Sequence, residues 1–261
     1  MSKPQSNISV KNLSIGYAAK TVSDNINFDV AQGELCAIIG VNGIGKSTLL
    51  RTLGNLQPLI QGELKIQGTA LKDYDHNGLA QKISLVLTEP LASKNLTVLE
   101  VIALGRQPYT NWIGSLSHED KRKVAHSLAT LELDEFKLRK CHELSDGQLQ
   151  RVLIARAMAQ DTPLILLDEP TTHLDLYHKV QILKLLKTLV QNHQKSIVFT
   201  THEIDLAIQL CDKILILDNK ENSFGQPCEL IAQGAFTRLF PNDMVRFDAK
   251  TGAFKVNKDP N

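Results

Sequence analysis

The run Gly40-Val41-Asn42-Gly43-Ile44-Gly45-Lys46-Ser47-Thr48 has the residue types and spacing to hold a polyphosphate. Gly40, then Gly45, Lys46 and Ser47, satisfy the phosphate-binding loop pattern. A triphosphate packs several negative charges into a small volume. Main-chain N–H groups at a helix start, aided by the helix dipole, can cradle that charge. Glycines let the backbone come close and take positive φ. Lys46 is expected to reach the β- and γ-phosphates. The Ser47 hydroxyl is expected to ligate magnesium, and Thr48 to donate to an α-phosphate oxygen.

A second group sits at the end of the apolar run Leu164-Ile165-Leu166-Leu167, which runs into Asp168-Glu169-Pro170. At a strand end Asp168 could hold magnesium, directly or through water. Glu169, one residue on, is placed to act as general base on a water aimed at the γ-phosphate. The plainer alternative is a pair of carboxylates facing solvent. A third group is Leu144-Ser145-Asp146-Gly147-Gln148, where Ser145 and Gln148 form a capping box. It is either only a good helix start or a second anion site at a helix N-terminus.

These groups need elements to position them. Leu35 to Ile39 is a buried strand leading into the phosphate loop, and Leu49, Leu50 and Leu53 mark a helix after it. Ile8 to Val10 and Leu13 to Tyr17 look like a short first strand; Ile26, Phe28 and Val30 alternate with polar residues, as does Gly62 to Gly68. Ile83 to Leu87 is the next strand. Thr97 and Glu100 box the start of a helix carrying Val98, Val101, Ile102 and Leu104, which Gly105 should stop. Ser117 opens another, with Val124, Leu128 and Leu131 on its apolar side. From about Thr88 to Gln160 the chain reads as helical, a subdomain inserted into the core. Strands return at Leu164–Leu167, Ile197–Thr200 and Ile214–Leu217, with helices over roughly Asp175–Gln191 and Ile204–Cys211 between them. Such alternation implies a parallel sheet covered on both faces. The tail after about Gln233 has weak periodicity and no assigned role.

The chain has 261 residues, 43% apolar and 22% charged, ordinary values for a globular protein. With 29 basic and 28 acidic side chains the formal net charge is +1, which gives no support for broad nucleic-acid binding. No apolar run approaches bilayer length. Met1 to Asn7 is polar and lacks the core of a signal peptide, so the chain is expected to stay in the cytosol. Cys36, Cys141, Cys211 and Cys228 are scattered, which fits reduced thiols rather than a zinc site.

The order of motifs is that of a phosphate loop, a helical segment ending in Leu-Ser-Asp-Gly-Gln, Asp168-Glu169, then His202 after a strand. It resembles the ATP-binding cassette (ABC) ATPases over roughly Ile8 to Gly234. The resemblance implies an α/β fold: a P-loop NTPase core, whose mixed sheet carries a parallel RecA-like part, with an antiparallel β subdomain and an inserted α-helical subdomain. It implies an ABC ATPase domain over 1–234, with core parts 1–87 and 161–234 and a helical signature subdomain 88–160. A C-terminal extension, 235–261, follows. ATP and Mg2+ are the implied ligands.

By the same resemblance Ser145, Asp146, Gly147 and Gln148 form the signature segment, which contacts the γ-phosphate held by a second copy packed head to tail. His202 resembles the switch histidine that holds the γ-phosphate and orients Glu169; a plain loop histidine is the alternative. Asp175 resembles the loop linking the two sites and can also be a helix N-cap. Tyr17 stands where the family stacks an aromatic ring on adenine; a packed tyrosine is the alternative. Two positions depart from the family. Its usual glutamine after strand Ile83–Leu87 is replaced by Thr88, with Glu89 beside it, and either could take over a magnesium contact. Asp146 stands where glycine is commonest, and its carboxylate should repel phosphate unless it points away or serves the cap.

Finer features are similar to importers of iron–siderophore complexes, haem and cobalamin: Leu104 to Tyr109, Trp112-Ile113-Gly114, Ala159 to Pro163 and Pro170 to Asp175. The implied partners are a second copy, a polytopic membrane permease and, indirectly, a substrate-binding protein, with no nucleic acid. The implied location is peripheral, on the cytoplasmic side of the inner or cell membrane. The competing reading is a soluble non-transport ABC ATPase acting in nucleic-acid repair or regulation.

Overall fold

The computed structural model describes residues 6–17, 20–89, 91, 93–240 and 245–256; the reading of Met1 to Gln5 as a polar terminus lies outside them. The two apolar segments near the N-terminus are one strand, β1 (Ser6–Tyr17), paired antiparallel to β2 (Lys20–Ala31). The register shifts between Val10 and Leu13, where Asn12 takes φ 48°. A bulge there absorbs the break in alternation that makes the sequence look like two pieces. β3 (Leu35–Ile39) is buried throughout and runs into the phosphate loop and α1 (Lys46–Leu53). β4 (Gln61–Ile66) and β5 (Thr69–Ala70) complete an antiparallel sheet of order β2-β1-β4-β5. The short helix α2 (His76–Ala80) leads to β6 (Ile83–Val86).

The inserted segment is helical: α3 (Val98–Leu104), α4 (His118–Thr130) and α5 (Asp146–Ala159). Each starts at a complete capping box, with Thr97, Ser117 and Ser145 as N-caps and Glu100, Asp120 and Gln148 answering. Gly105 ends α3, but not in the left-handed conformation expected of a stop glycine: its φ is −60°. Space requires the glycine, since a Cβ there would lie 2.2 Å from the Arg156 carbonyl oxygen on α5. Arg106 is buried beside it. It donates to Asp120 at 2.8 Å and to the Ala159 carbonyl at 2.7 Å, and lies over the Tyr109 ring. Burial works against the Asp120 carboxylate, yet the Ser117 hydroxyl and N–H and the Arg106 guanidinium together hold its pKa below the usual range.

The chain then re-enters the core through β7 (Leu164–Leu167), α6 (Leu176–His193), β8 (Ser196–Thr200), α7 (Ile204–Leu210) and β9 (Lys213–Ile216). β10 (Ser223–Gly225) turns back on β9. The second sheet has order β10-β9-β3-β8-β7-β6, parallel except for the β10–β9 pair. Side chains alternate between two cores: Leu164, Leu166 and Val198 face α1 and the antiparallel sheet, while Ile165, Leu167 and Phe199 face the helical side. Cover on both faces explains why these strands read as unbroken apolar runs.

The tail that shows no clear period is built. After α8 (Pro227–Ala232) comes the hairpin β11 (Val245–Asp248) and β12 (Ala253–Val256). Phe236 stacks on Phe247, and Phe254 meets the edges of Phe240 and Phe247, with ring centroids 5.0–5.1 Å apart. Residues 241–244 and 257–261 of the extension lie outside the described residues.

Candidate active site

In a parallel sheet the loops at the carboxyl ends of adjacent strands converge. Here β3, β8 and β7 are neighbours, and their ends deliver the phosphate loop, Thr200 to His202, and Asp168 to Glu169 to one place. A cleft of about 400 Å³ opens there, lined by Asn42, Gly43, Gly45, Lys46, Ser47, Thr48, Glu169 and His202.

The loop is held from below. Ile44 is buried in the core next to α1, so only its main chain can face a ligand. Gly45 is the N-cap of α1 at φ 109°, and a Cβ on it would lie 2.8 Å from Val22. Both facts demand glycine. The first helical bond of α1 runs from the Leu49 N–H to the Gly45 carbonyl. The N–H groups of Lys46, Ser47 and Thr48 therefore have no partner within the helix, and the dipole is positive at that end. Lys46 bends back, donating to the Gly40 carbonyl at 2.9 Å and the Val41 carbonyl at 3.2 Å. Burial lowers its pKa, opposed by the charges of Glu169 and Asp168. Tyr17 is more than half exposed, and its hydroxyl lies 3.2 Å from Thr48 Oγ1, which puts its ring at the rim of the loop.

Opposite the loop, Asp168 is buried and its Oδ1 accepts from Ser47 Oγ at 3.0 Å and Thr200 Oγ1 at 2.6 Å. The Glu169 N–H donates to the same Thr200 hydroxyl at 2.8 Å. Glu169 has φ 47°, which turns its side chain out of the strand. His202 Nε2 lies 2.7 Å from Glu169 Oε1, and Thr172 Oγ1 donates to Oε2 at 2.9 Å. Ser47 and Asp168 converge as hard oxygen donors, the set that suits magnesium. The cluster can neutralise phosphate charge at Lys46, hold a divalent cation between Ser47 and Asp168, and take a proton from water at Glu169.

Other expected residues lie apart from this cleft. Ser145 and Asp146 are exposed at the start of α5, and Ser145 to Gln148 do not line it. Gly147 faces α6 instead, where a Cβ would lie 3.3 Å from the His178 ring. Asp175 caps α6: its Oδ1 accepts from the His178 N–H at 2.9 Å and from its ring at 2.8 Å, bonds that hold its pKa down. Thr88 and Asp146 line a second cleft, of about 180 Å³, together with Asp168 and Glu169. Glu89 pairs instead with Arg51 at 2.5 Å. Sequence reasoning passed over Thr172 and Thr200. The available signals were weak: a hydroxyl three residues after Glu169 in a turn, and one closing an apolar strand two residues before His202.

A family model described as ABC transporter matches residues 23–172. The chain is 36% identical over 237 residues to a petrobactin import ATP-binding protein of Bacillus anthracis, covering 90% of this chain and 87% of that one. It is 34% identical over 210 residues to the iron(3+)-hydroxamate import ATP-binding protein of Bacillus subtilis, covering 80% and 78%. Among solved structures, it aligns at TM-score 0.79 and 33% identity with an inward-facing ABC transporter assigned to the metal-chelate type, covering 90% of this chain and 89% of that one. It aligns at TM-score 0.70 and 31% identity with an ATP-binding cassette solved as a dimer in a post-hydrolysis state with ADP and phosphate, covering 83% and 97%.

Proposed function

The chain belongs to the ABC transporter family and is an ATPase, and from that premise we propose that it energises uptake of a metal chelate through a membrane permease. The relatives are named for import of petrobactin and iron hydroxamate, which favours an iron–siderophore cargo over the nucleic-acid alternative. The observation that carries the mechanism is the linked set Ser47, Asp168, Thr200, Glu169 and His202 facing Lys46 across one cleft.

In this proposal the free N–H groups at the start of α1 and the Lys46 ammonium bind the β- and γ-phosphates of ATP. Ser47 and Asp168 would hold Mg2+, with Thr88, which lines a cleft together with Asp168, as a further oxygen donor; the ion would neutralise charge on the phosphate oxygens. Glu169 accepts a proton from a water as its oxygen bonds to the γ-phosphorus. The bond from that phosphorus to the β–γ bridging oxygen breaks, leaving ADP and phosphate. His202 keeps the Glu169 carboxylate aimed and lies at the cleft where the γ-phosphate is expected.

A second copy, packed head to tail, supplies Ser145 to Gln148 to the nucleotide. Exposure supports this: the capped start of α5 is open, and Leu176 and Tyr177, which follow Asp175 at the start of α6, are both exposed. A groove of about 590 Å³ lined by the exposed Leu104 with His76, Pro108 and Arg156, followed along the chain by the exposed Tyr109, Trp112 and Ile113, suits a permease. Among the described residues no helix is long and apolar enough to cross a membrane. The protein would then sit peripherally on the cytoplasmic face, and the permease would receive its cargo from a substrate-binding protein. Core parts 1–87 and 161–234, helical part 88–160 and extension 235–261 would be its working units.

Reconstitution tests the reading. Copurified with a polytopic permease in vesicles, the chain should drive ATP-dependent accumulation of a ferric siderophore. A chain that instead stays free of membranes and binds DNA at physiological salt would overturn it.

A further inference from the structure

We propose that Thr200 is a positioning residue: its one hydroxyl sets both the carboxylate of Asp168 and the backbone of Glu169. The inference rests on the roles proposed above for those two residues. Thr200 closes β8, the strand between β3, which feeds the phosphate loop, and β7, which feeds Asp168. Leu167 pairs with Phe199, so Asp168 and Thr200 are the next rung. Residues 164, 166 and 168 share a face by alternation, as do 196, 198 and 200, and Leu164, Leu166 and Val198 all pack in the core under α1. Both side chains thus point towards the Ser47 end of that helix.

Thr200 is fully buried. A hydroxyl has a single proton and free lone pairs. The Glu169 N–H points at Oγ1 from 2.8 Å and can only donate, so the hydroxyl must accept there. Its own proton is left for Asp168 Oδ1, 2.6 Å away. The rotor therefore has one satisfied orientation. Ser47 is the other donor to Oδ1; when Ser47 is engaged elsewhere, Thr200 holds that oxygen alone among the described residues. On the other side, the bond anchors a peptide whose residue sits at φ 47°, a conformation that persists only where the surroundings impose it. One hydroxyl, donating to one side and accepting from the other, thereby registers the cation-side carboxylate against the base.

The test compares Thr200→Val, which keeps the volume and loses both bonds, with Thr200→Ser, which keeps them. ADP binding is measured in EDTA by calorimetry, and Mn2+ binding in the presence of ADP by electron paramagnetic resonance, beside steady-state ATPase. Partners of a metal ligand are typically worth about 10–100-fold in metal affinity or activity. Thr200→Val should leave ADP affinity in EDTA unchanged, weaken Mn2+ by that order and lower kcat; Thr200→Ser should restore both. If Thr200→Val does not fold, Thr200→Cys, with a weak donor, carries the same measurements, and wild-type values there would overturn the proposal. Wild-type Mn2+ affinity and kcat in Thr200→Val, while Asp168→Asn loses Mn2+ affinity and Glu169→Gln loses kcat, would sink this inference alone. Full activity in Asp168→Asn and Glu169→Gln would sink the reading beneath it.

Discussion

His202 Nε2 lies 2.7 Å from one carboxylate oxygen of Glu169, while the Thr172 hydroxyl holds the other at 2.9 Å. The carboxylate is thus oriented from both sides within one chain. An ionised carboxylate has about four lone-pair sites, so two donors fix its plane and still leave room to accept from a water. That is the arrangement a general base needs.

Glu169→Gln should therefore keep the fold and nucleotide binding but lose turnover, by the 10²–10⁴-fold typical of a positioned base. Single-turnover ATPase and nucleotide binding, measured side by side, check it. The variant should also accumulate as an ATP-bound dimer on size exclusion; normal turnover would remove Glu169 from the role.

Lys46→Ala should abolish nucleotide binding, because among the described residues it is the only lysine or arginine that lines the cleft. The wild-type chain adds a pH signature. Burial lowers the Lys46 pKa, so its ammonium is lost at lower pH than in an exposed lysine. ADP affinity should begin to fall on the alkaline side before ordinary lysines titrate. An affinity flat through that range would contradict the assignment.

Gly105→Ala should destabilise the chain although its φ of −60° suits any residue. The added methyl would sit 2.2 Å from the Arg156 carbonyl, so α3 and α5 must move apart. Overpacking of this kind costs about 1–3 kcal/mol. A urea midpoint equal to wild type would show that the helices yield freely.

The His193 ring stands edge-on to His126, 5.3 Å between centroids, joining the end of α6 to α4. Burial, then the charges of His126 and Lys195, lower its pKa against the opposing pull of Asp161. Lys123 and Lys195 both bind Asp161, which limits that pull. Because the folded pKa is depressed, the unfolded chain binds the proton more readily. Stability should be full above the ordinary histidine value of about 6.5 and decline as pH falls below it. Melting temperatures from pH 7.5 to 5 should show this slope, and His193→Gln should flatten it.

What the sequence disclosed was what is local. The capping boxes at Thr97, Ser117 and Ser145 close within a few residues, so their letters are enough. The phosphate loop is likewise contiguous, and the parallel core announces itself through apolar runs. Contacts between distant segments were invisible. Nothing near Thr200 reveals that Asp168 lies beside it, because strand order sets that meeting. Gly105 looked like a stop signal, whereas its neighbour is Arg156 on another helix. The tail failed for a related reason: Phe236, Phe240, Phe247 and Phe254 are four, seven and seven residues apart, a spacing a helix face would also give, whereas the structure gathers them by packing a hairpin on the turn that carries Phe236.

Helix α5 has a firm foot. Gln160, just past its end, donates to the Ala80 and Ile83 carbonyls, and Arg156 to that of Leu85, so it is stapled to the edge of the parallel sheet. Its head, at Ser145, meets the core only through exposed or half-buried groups, among them Arg151 with Gln181 at 3.4 Å. At about 1.5 Å per residue, its 14 residues make an arm of roughly 20 Å. Each degree of tilt about the foot sweeps the head by about 0.4 Å on that geometry. On that geometry a tilt of about eight degrees would displace Ser145 by roughly the length of a hydrogen bond.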